Sequence, residues 1–378
     1  MDNRFWDDVA GWRRHLHAHP ELSLEEHETA RFVCERLAAM GVPYVAGVGG
    51  TGVVGTISRG ESDRSVGLRA DMDALPIEEA TGLDYASTRP GVMHACGHDG
   101  HTASLLAAAS LLMEDASWSG TVQLVFQPAK EGQGGALAML RDGLFERFPM
   151  ERIFGYHNWP GLETGVVGVR AGPVMAAGSR VEIVVRGHAG HGAMPHLARD
   201  PMLAAAHLLV ALQSVVSREV DPIESAVLSM CTIEAGTAVN QISDRAVMRG
   251  TFRTYHRAVR DQVEASIRRI ADGIGAAFGM EVETDIRHGV EATVNSAEEA
   301  ELAAGAAGAL VRRDLAPSMA GEDFGWYLRE KPGAFAWIGN GLEGELHHPG
   351  FNFNDAILPV AGRWLADVAK RSLGSEVK

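Results

Sequence analysis

The sequence predicts an α/β protein built on a mainly parallel sheet, with a ferredoxin-like domain inserted into the first domain. Two patterns support this prediction. Apolar, strand-like segments alternate with helical segments between residues 23 and 157, an order typical of parallel sheets that carry helices on both faces. Between residues 178 and 290 the order becomes β-α-β-β-α-β, which is the order of a ferredoxin-like unit.

The first domain is predicted to contain residues 1–177 and 291–378. Its first helix is predicted to begin at a capping box, Ser23-Leu-Glu-Glu26, and to end near Gly41. Residues 102–113 are apolar on every face, which predicts a buried helix. The remaining helices are predicted at 297–311 and near 355–373, and the strands at 52–57, 66–70, 121–126 and 152–157.

The inserted domain is predicted to contain residues 178–290. Its second helix carries an apolar stripe at steps of three and four, formed by Val259, Val263, Ile267, Ile270, Ile274 and Phe278. The other elements of this domain are predicted as strands at 180–186, 226–233, 246–254 and 280–286 and a helix at 202–220.

The composition excludes several classes of protein. The 378-residue chain has 49 acidic and 34 basic residues, a net charge of −15, so its surface repels nucleic acid and anionic membranes. Three cysteines are too few for a disulfide framework or a four-cysteine zinc site. The acidic start MDNRFWDDV does not resemble a signal peptide, and no apolar stretch approaches the roughly 20 residues of a membrane span. We therefore expect a reduced, cytoplasmic protein.

Metal-binding residue types are concentrated in HACGHDGH, residues 94–101, which contains three histidines, a cysteine and an aspartate. A lone histidine or cysteine is usually structural, but this combination favours a metal site. Thiolate and imidazole together suit a borderline-soft divalent ion. Because residues two apart do not share a helix face, Cys96 and His98 predict a non-helical loop, which Gly97 and Gly100 also favour.

Further candidate ligands end predicted strands or lie in polar loops, and they are Glu131, His157 and either His347 or His348. One thiolate, one carboxylate and three imidazoles are enough to hold two metal ions if one ligand bridges. Asp71 and Asp73 end another predicted strand. An aspartate at such a position commonly orients a ligating imidazole.

Ten stretches from residue 13 to residue 355 carry a resemblance that covers nearly the whole chain: RRHLHAHPELSLEE, LRADMDALPI, HACGHDGHTA, FQPAKEG, GYHNWPG, GHAGHGAMPH, AVNQISD, GTFRTY, AGEDF and LHHPGFNFND. As a set they resemble the M20 metallopeptidase and aminoacylase family, in its branch of hippurate hydrolases and indole-acetyl-amino-acid hydrolases. None of the stretches is specific by itself, whereas the set is very specific.

The resemblance implies a two-metal catalytic domain that cleaves the amide bond of N-acyl or N-aroyl amino acids by attack of metal-bound water. The resemblance also implies that Asp71 is one of the catalytic residues. The two divalent ions in each subunit are zinc, manganese, nickel or cobalt, which the mixed donors accept about equally well. The resemblance assigns Cys96 as the bridging ligand, and as the other ligands His98, Glu131, His157 and His348.

The resemblance also implies that the inserted domain is a lid and dimerisation domain, so that we expect a homodimer acting on a small-molecule substrate. His191 matches a histidine that reaches the partner subunit's active site and steadies the tetrahedral oxyanion. Asn240 and Arg253 match substrate-binding residues, with the arginine on the free carboxylate. From the residues alone, a surface or dimer-contact role is preferred for all three.

One position departs from the family pattern. The stretch FQPAKEG usually contains two glutamates, of which the second binds metal and the first is the general base. Glu131 is the second, but Lys130 stands at the first position. A protonated lysine accepts no proton, and a positioned general base contributes a factor of about 10² to 10⁴.

Three interpretations of Lys130 remain open. The lysine leaves a folded, metal-loaded enzyme with impaired catalysis. Alternatively it is neutral, because nearby cations and burial lower the pKa of a lysine, and acts as the base itself. In the third interpretation Asp99 or Glu322 supplies the missing carboxylate while Lys130 stabilises the oxyanion.

The sequence thus predicts a metal-dependent amidohydrolase of N-acyl amino acids. One alternative is a catalytically silent relative that binds metal and amino-acid conjugates without turnover, and residue 130 distinguishes it. Another is a dipeptidase or deacetylase of the same family, which a panel of acyl groups distinguishes.

Overall fold

The computed structural model describes residues 2–132 and 134–374, which divide into two units. The first unit contains the chain up to Val174, Thr293–Ala316 and the chain from Asp323 onward. The second unit contains Met175–Ala292 together with Pro317–Glu322. The chain therefore leaves the first unit, forms most of the second and then returns.

The described residues form strands and α-helices in alternation over much of the chain. The strands are β1 Tyr44–Val48, β2 Gly52–Arg59, β3 Ser65–Asp71, β4 Gly120–Gln127, β5 Arg152–Pro160, β6 Val167–Gly168, β7 Gly172–Met175, β8 Ala177–Arg186, β9 Gly190–His191, β10 Ala226–Ala235, β11 Gln241–Ile242, β12 Arg245–Thr254, β13 Glu281–His288, β14 Thr293–Asn295, β15 Val311–Arg312 and β16 Gly333–Gly341. The helices are α1 Asn3–Ala18, α2 His27–Ala39, α3 His98–Glu114, α4 Gly135–Arg141, α5 Leu144–Arg147, α6 Pro201–Ser214, α7 Arg257–Phe278, α8 Ala297–Ala307, α9 Gly325–Glu330 and α10 Leu358–Ser372.

The first unit is built on a sheet with the strand order β1-β2-β4-β3-β5-β16-β6-β15. Its four central strands, β4, β3, β5 and β16, run parallel, and antiparallel pairs lie towards both edges. Leu68 on β3 aligns with Leu124 on β4 and Phe154 on β5, and all three are fully buried. The predicted α/β class with a mainly parallel sheet is confirmed.

Helix α3 lies in the core of the first unit. It packs against β3 and against helices α1, α2 and α10, which explains why it is apolar on every face. Its Leu105, Leu106 and Leu112 are fully buried. A helix enclosed in this way holds its first turn in a fixed place beside the strand ends.

Two helix starts differ from the prediction. Ser23 does not cap α2; its hydroxyl donates to Asp73 at 2.6 Å, and α2 begins at His27 without a side-chain cap. Helix α3 begins at His98 rather than at residue 102, so Gly100 lies inside the helix. A glycine is required there because a Cβ at Gly100 would lie 2.2 Å from the ring of Phe353.

Helix α1 and the central strand β16 are absent from the prediction. The buried face of α1 includes Arg13 and His17 beside Val9 and Leu16, so charged residues interrupt the apolar stripe that identifies such a helix. Strand β16 contains three glycines in GAFAWIGNG, and glycine is depleted in strands. Both elements are formed through tertiary packing that local patterns do not reveal.

The second unit contains the predicted β-α-β-β-α-β order as β8, α6, β10, β12, α7 and β13. These strands form an antiparallel sheet in the order β10-β12-β8-β13. Alternate residues of β8, namely Val181, Ile183 and Val185, are buried in one cluster with residues of α6 and α7. The ferredoxin-like arrangement is therefore present, while its role as a lid and dimerisation domain stays a prediction.

The stretch Pro201–Glu219, with 19 residues and a mean hydropathy of 1.2, is long and apolar enough to span a membrane. No apolar stretch of this length was expected from the sequence. A core helix of a soluble protein satisfies the same criterion, and Ala204, Leu208 and Leu212 are fully buried in the core of the second unit. The stretch is weak evidence for a membrane span.

The close approach at Gly100 gives a test of the fold. We expect Gly100→Ala to lower the free energy of unfolding by about 1–3 kcal/mol, because the added methyl group overlaps the Phe353 ring in a packed core. Gly11→Ala is the matched control in α1, where a Cβ meets nothing within 4 Å and alanine favours the helix by up to about 1 kcal/mol. Urea unfolding of the metal-free protein measures the free energy of unfolding of both variants. Equal stability of Gly100→Ala and Gly11→Ala would contradict the packing described.

Candidate metal centre

The candidate centre lies at the carboxyl ends of the parallel strands of the first unit, where sites form in sheets of this kind. Asp71 ends β3, and β4 ends at Gln127, just before the turn that contains Glu131. His157 lies near the end of β5. These strands are neighbours, so the sheet topology brings residues distant in sequence to one edge.

Gly97 joins the two adjacent ligand candidates of the HACGHDGH motif. Its φ of +93° is in the left-handed region, and a Cβ there would lie 2.3 Å from Asn158 Oδ1. Cys96 precedes this turn and His98 is the first residue of α3. The predicted non-helical loop therefore ends at Gly97, because the helix begins directly after this left-handed residue.

Two groups of side chains share Cys96 and have the composition of metal sites. The donor atoms of Cys96, His98 and His157 lie within 4.8 Å of one another. The donor atoms of Cys96, Glu131 and His347 also lie within 4.8 Å of one another. Because Cys96 belongs to both, the arrangement has the form of two neighbouring subsites with one common thiolate.

The two buried imidazoles are oriented by hydrogen bonds from their other nitrogen. His98 Nδ1 donates to the carbonyl of Asp73 at 2.7 Å, and His157 Nδ1 donates to the carbonyl of Asn158 at 2.7 Å. A proton on Nδ1 leaves the lone pair on Nε2, and His157 Nε2 lies 3.3 Å from Cys96 Sγ. This is the arrangement that metal-binding histidines commonly show.

The residues present fit divalent metal ions. His98 Nε2 and Glu131 Oε1 are buried atoms without a hydrogen-bond partner among the described residues, and they lie 3.6 Å apart. Buried polar atoms normally have partners, so two such atoms at one point indicate a ligand between them. A thiolate, a carboxylate and imidazoles are donors that zinc, manganese, nickel and cobalt accept.

Two buried carboxylates fix the turn that carries Lys130 and Glu131. Glu26 accepts the backbone N–H of Ala129 at 2.8 Å, and Asp73 accepts the backbone N–H of Glu131 at 2.9 Å. Ala129 has a φ of +54°, which is uncommon for a residue other than glycine and requires such support. The turn therefore presents both side chains in set directions.

Lys130 points into the centre rather than into solvent. Its side chain is only 7% exposed, and its Nζ lies 3.5 Å from Glu131 Oε1 and donates to Cys96 Sγ at 3.7 Å. Burial alone would raise the pKa of Glu131, but the charge of Lys130 and the imidazoles of His347 and His98 hold that pKa well below its usual range. The lysine is therefore part of the ligand cluster itself.

The structure places His347, and not His348, in the cluster. The backbone N–H of His347 donates to Ala95 O at 2.8 Å, and its Nε2 lies 3.4 Å from Glu131 Oε1. The neighbouring side chains of Cys96 and Glu131 raise the pKa of His347 to about 10. His348 Nδ1 instead accepts the N–H of Gly350 at 3.0 Å, within its own loop. The φ of +63° at His347 decides which of the two imidazoles faces Cys96.

Asp71 lies behind the cluster in a buried network of charges. Its carboxylate accepts from Arg69 at 2.9 Å and lies 2.6 Å from His101 Nδ1. Burial opposes ionisation, but the charges of Arg69, His98 and His101 hold the pKa of Asp71 well below its usual range. Asp71 Oδ2 also lies 3.6 Å from His98 Nε2, so this carboxylate contacts a ligand candidate.

The remaining members of the HACGHDGH motif lie outside both groups. Asp99 is held by His17 Nδ1 at 2.8 Å and by Arg13 at 3.5 Å, contacts that do not favour it as a substitute base. Burial would raise the pKa of Asp99, but the hydrogen bond and charge of His17 keep it low. His94 is buried, which lowers its pKa to about 4. His17 and Arg13 were not predicted as site residues, since no local motif links them to Asp99.

The other candidate residues belong to the second unit. His191 on β9 pairs with Gln241 on β11, and Asn240 precedes that strand, so the pairing of these two short strands brings His191 and Asn240 together. Both are exposed in the single chain. Arg253 on β12 lies over Gly178, where a Cβ would be 2.3 Å from its Nη1. Glu322 also belongs to the second unit.

Comparison with known proteins gives consistent matches over nearly the whole chain. The profile of peptidase family M20/M25/M40 matches residues 67–371. The chain is 42% identical to an N-acetyl-L-cysteine deacetylase of Bacillus subtilis over 97% of this chain and 88% of the relative. It is 41% identical to a hippurate hydrolase of Campylobacter jejuni over 96% of this chain and 95% of the relative. The solved YXEP protein of Bacillus subtilis, described as a dinuclear metal binding peptidase, superposes with a TM-score of 0.89 at 36% identity, over 99% of this chain and all of that one.

The shared position of Cys96 leads to a test of metal binding. We expect Cys96→Ala to lose at least one bound divalent ion per chain, because both candidate groups depend on its sulfur atom. Elemental analysis after dialysis against zinc or manganese measures the content. Cys231→Ala is the matched control, since Cys231 is an exposed free cysteine of β10. Equal metal content in the two variants would contradict the assignment.

Proposed function

The chain belongs to peptidase family M20/M25/M40, and from this premise we propose that it hydrolyses the amide bond of N-acyl or N-aroyl amino acids at a centre of two divalent metal ions. One observation carries the proposal: five donor side chains from distant parts of the sequence meet in two groups that share one thiolate. The proposed ligands are Cys96, His98, Glu131, His157 and His347. The deacetylase and hippurate hydrolase activities that name the two relatives support this substrate class.

The metal ions would supply an acidified water molecule and a positive charge that polarises the scissile carbonyl. The protein's own residues prepare that chemistry. Asp73 and Asn158 orient the imidazoles of His98 and His157 through their backbone carbonyls. Asp71 lies between Arg69 and His101 and keeps a negative charge behind the ligands.

The proposal extends to residues of the second unit. We assign Arg253 to the free carboxylate of the substrate, because a guanidinium binds a carboxylate with two parallel hydrogen bonds. Asn240 is assigned to substrate binding and His191 to the oxyanion in the partner subunit of a homodimer. The exposure of His191 in the single chain agrees with a role completed by a second copy. We place the protein in the cytoplasm, which agrees with its three free cysteines.

Lys130 favours a second candidate function, a protein that binds metal and amino-acid conjugates with little or no turnover. Its Nζ lies at the thiolate and the carboxylate of the centre, where a group that accepts a proton is needed. The two candidates are separated by incubating the metal-loaded chain with hippurate and with N-acetylcysteine and measuring release of the free amino acid. Binding of either compound without release of the amino acid supports the second candidate. If the chain neither binds nor hydrolyses either compound, both candidate functions are contradicted.

The role of residue 130 is tested by exchanging its charge. We expect Lys130→Glu to raise the rate of hydrolysis by about 10² or more, because a carboxylate beside the centre accepts a proton that an ammonium does not. Lys130→Gln is the control that removes the positive charge without adding a base. If Lys130→Glu is no faster than the parent from pH 5 to 10, the lysine is not the cause of low turnover.

Assembly is tested by mixing two inactive variants. We expect chains with Cys96→Ala and chains with His191→Ala to regain activity when mixed, because one heterodimer site then has both an intact centre and an intact His191 from the partner. Parent protein, or Lys130→Glu where the parent is slow, provides the reference rate. A chain that is monomeric by light scattering at concentrations where it is active would refute the shared site.

A further inference from the structure

Lys130 contacts one of the two candidate metal groups more closely than the other. Its Nζ donates to Cys96 Sγ at 3.7 Å and lies 3.5 Å from Glu131 Oε1. These two atoms are two of the three donors of the group Cys96–Glu131–His347. The group Cys96–His98–His157 shares only the sulfur atom with the contacts of the lysine. The ammonium of Lys130 therefore contacts two donors of the Cys96–Glu131–His347 group and only one donor of the Cys96–His98–His157 group.

The lysine has little room to move away from this position. Its side chain is 7% exposed, so the ammonium lies below the surface of the unit. The backbone on both sides is fixed by hydrogen bonds from Ala129 to Glu26 and from Glu131 to Asp73. An ion that enters the group must therefore bind with the ammonium beside it, after displacing its contacts with the thiolate and the carboxylate.

The size of the effect follows from distances and charges. A metal–sulfur bond is about 2.3 Å long, so an ion bound to Cys96 Sγ in either group would lie within about 6 Å of Lys130 Nζ, and the repulsion between the two charges would act on both groups. An ion that binds Glu131 would in addition have to replace the ammonium that lies 3.5 Å from its Oε1. The attraction lost at that distance is enough to weaken binding roughly tenfold, even at the dielectric constant of bulk water, and a buried centre screens it less than water does.

We infer that Lys130 separates the loading of the two metal subsites into two steps. The subsite of Cys96, His98 and His157 fills first, and the subsite of Cys96, Glu131 and His347 fills only at a higher metal concentration. The inference rests on the two-metal centre of the proposed function. It assigns to Lys130 the control of how many ions the chain holds at a given metal concentration.

Calorimetric titration of the metal-free full chain with Co²⁺ tests this inference. We expect two steps whose dissociation constants differ by roughly tenfold or more. Lys130→Met removes the charge and shortens the side chain by only one atom, so it is expected to strengthen the weaker step by roughly tenfold more than the tighter step. Lys331→Met is the matched control, because Lys331 Nζ lies over the ring of Phe145 and is not part of either group.

Ligand variants assign the steps to the subsites. His347→Ala is expected to abolish only the weaker step, and His157→Ala only the tighter one, with circular dichroism confirming that each variant is folded. Two steps of equal affinity in the parent chain, or a weaker step that Lys130→Met leaves unchanged, would overturn the inference.

The same titration separates this inference from the proposed function. Two unequal steps in a chain that releases no amino acid from either hippurate or N-acetylcysteine would support the inference and contradict the hydrolase. Hydrolysis by a chain that binds two ions with equal affinity would support the hydrolase and contradict the inference about Lys130. A chain that binds no Co²⁺ would contradict both.

Discussion

The geometry of the candidate centre depends on the buried carboxylate of Asp73. Its Oδ2 accepts the hydroxyl of Ser23 at 2.6 Å and the backbone N–H of Glu131 at 2.9 Å. Its Oδ1 lies 3.2 Å from His98 Nδ1, and its own carbonyl accepts from the same nitrogen. One residue thus ties the segment before α2, the turn after β4 and the first turn of α3 to the end of β3. Without these hydrogen bonds to Asp73, the positions of His98 and Glu131 relative to each other would not be fixed.

A second network makes it possible to bury so much charge beside a cluster of ligands. Arg69 on β3 is fully buried, and it donates to Asp71, to Asp323 and to Gln127 at 2.8–2.9 Å. A buried charge is tolerated when it is paired and hydrogen-bonded. Because Arg69 neutralises the carboxylates on both sides, Asp71 stays ionised and can hold His101. The network therefore supports the ligands from behind and reaches the donor atoms through Asp71, whose Oδ2 lies 3.6 Å from His98 Nε2.

The sequence predicted the parts of this structure that depend on local patterns. Apolar strand-like segments predicted three of the four central strands, an apolar stripe at steps of three and four predicted α7 in the second unit, and the density of His and Cys predicted where the centre lies. Interactions over long separations were not predictable. Ser23 bonds to Asp73 instead of capping its helix, and Arg13 belongs to a network with Asp355 in the last part of the chain. The choice between His347 and His348 goes with a left-handed backbone at His347 and a backbone hydrogen bond from His347 to Ala95, which two adjacent histidines in a sequence do not reveal.

A single change of charge accounts for both unusual properties that we propose for this centre. A glutamate at position 130 would bring one negative charge to the thiolate and the carboxylate of the ligands, and Lys130 brings one positive charge to the same place. The difference is two units of charge within a few ångströms of two dications. A site that is less negative by this amount binds the second ion more weakly, and it lacks the proton acceptor that amide hydrolysis uses. In these two proposals metal loading and catalysis are linked through residue 130, because one side chain would set the charge around the ions and would also determine whether a proton acceptor is present.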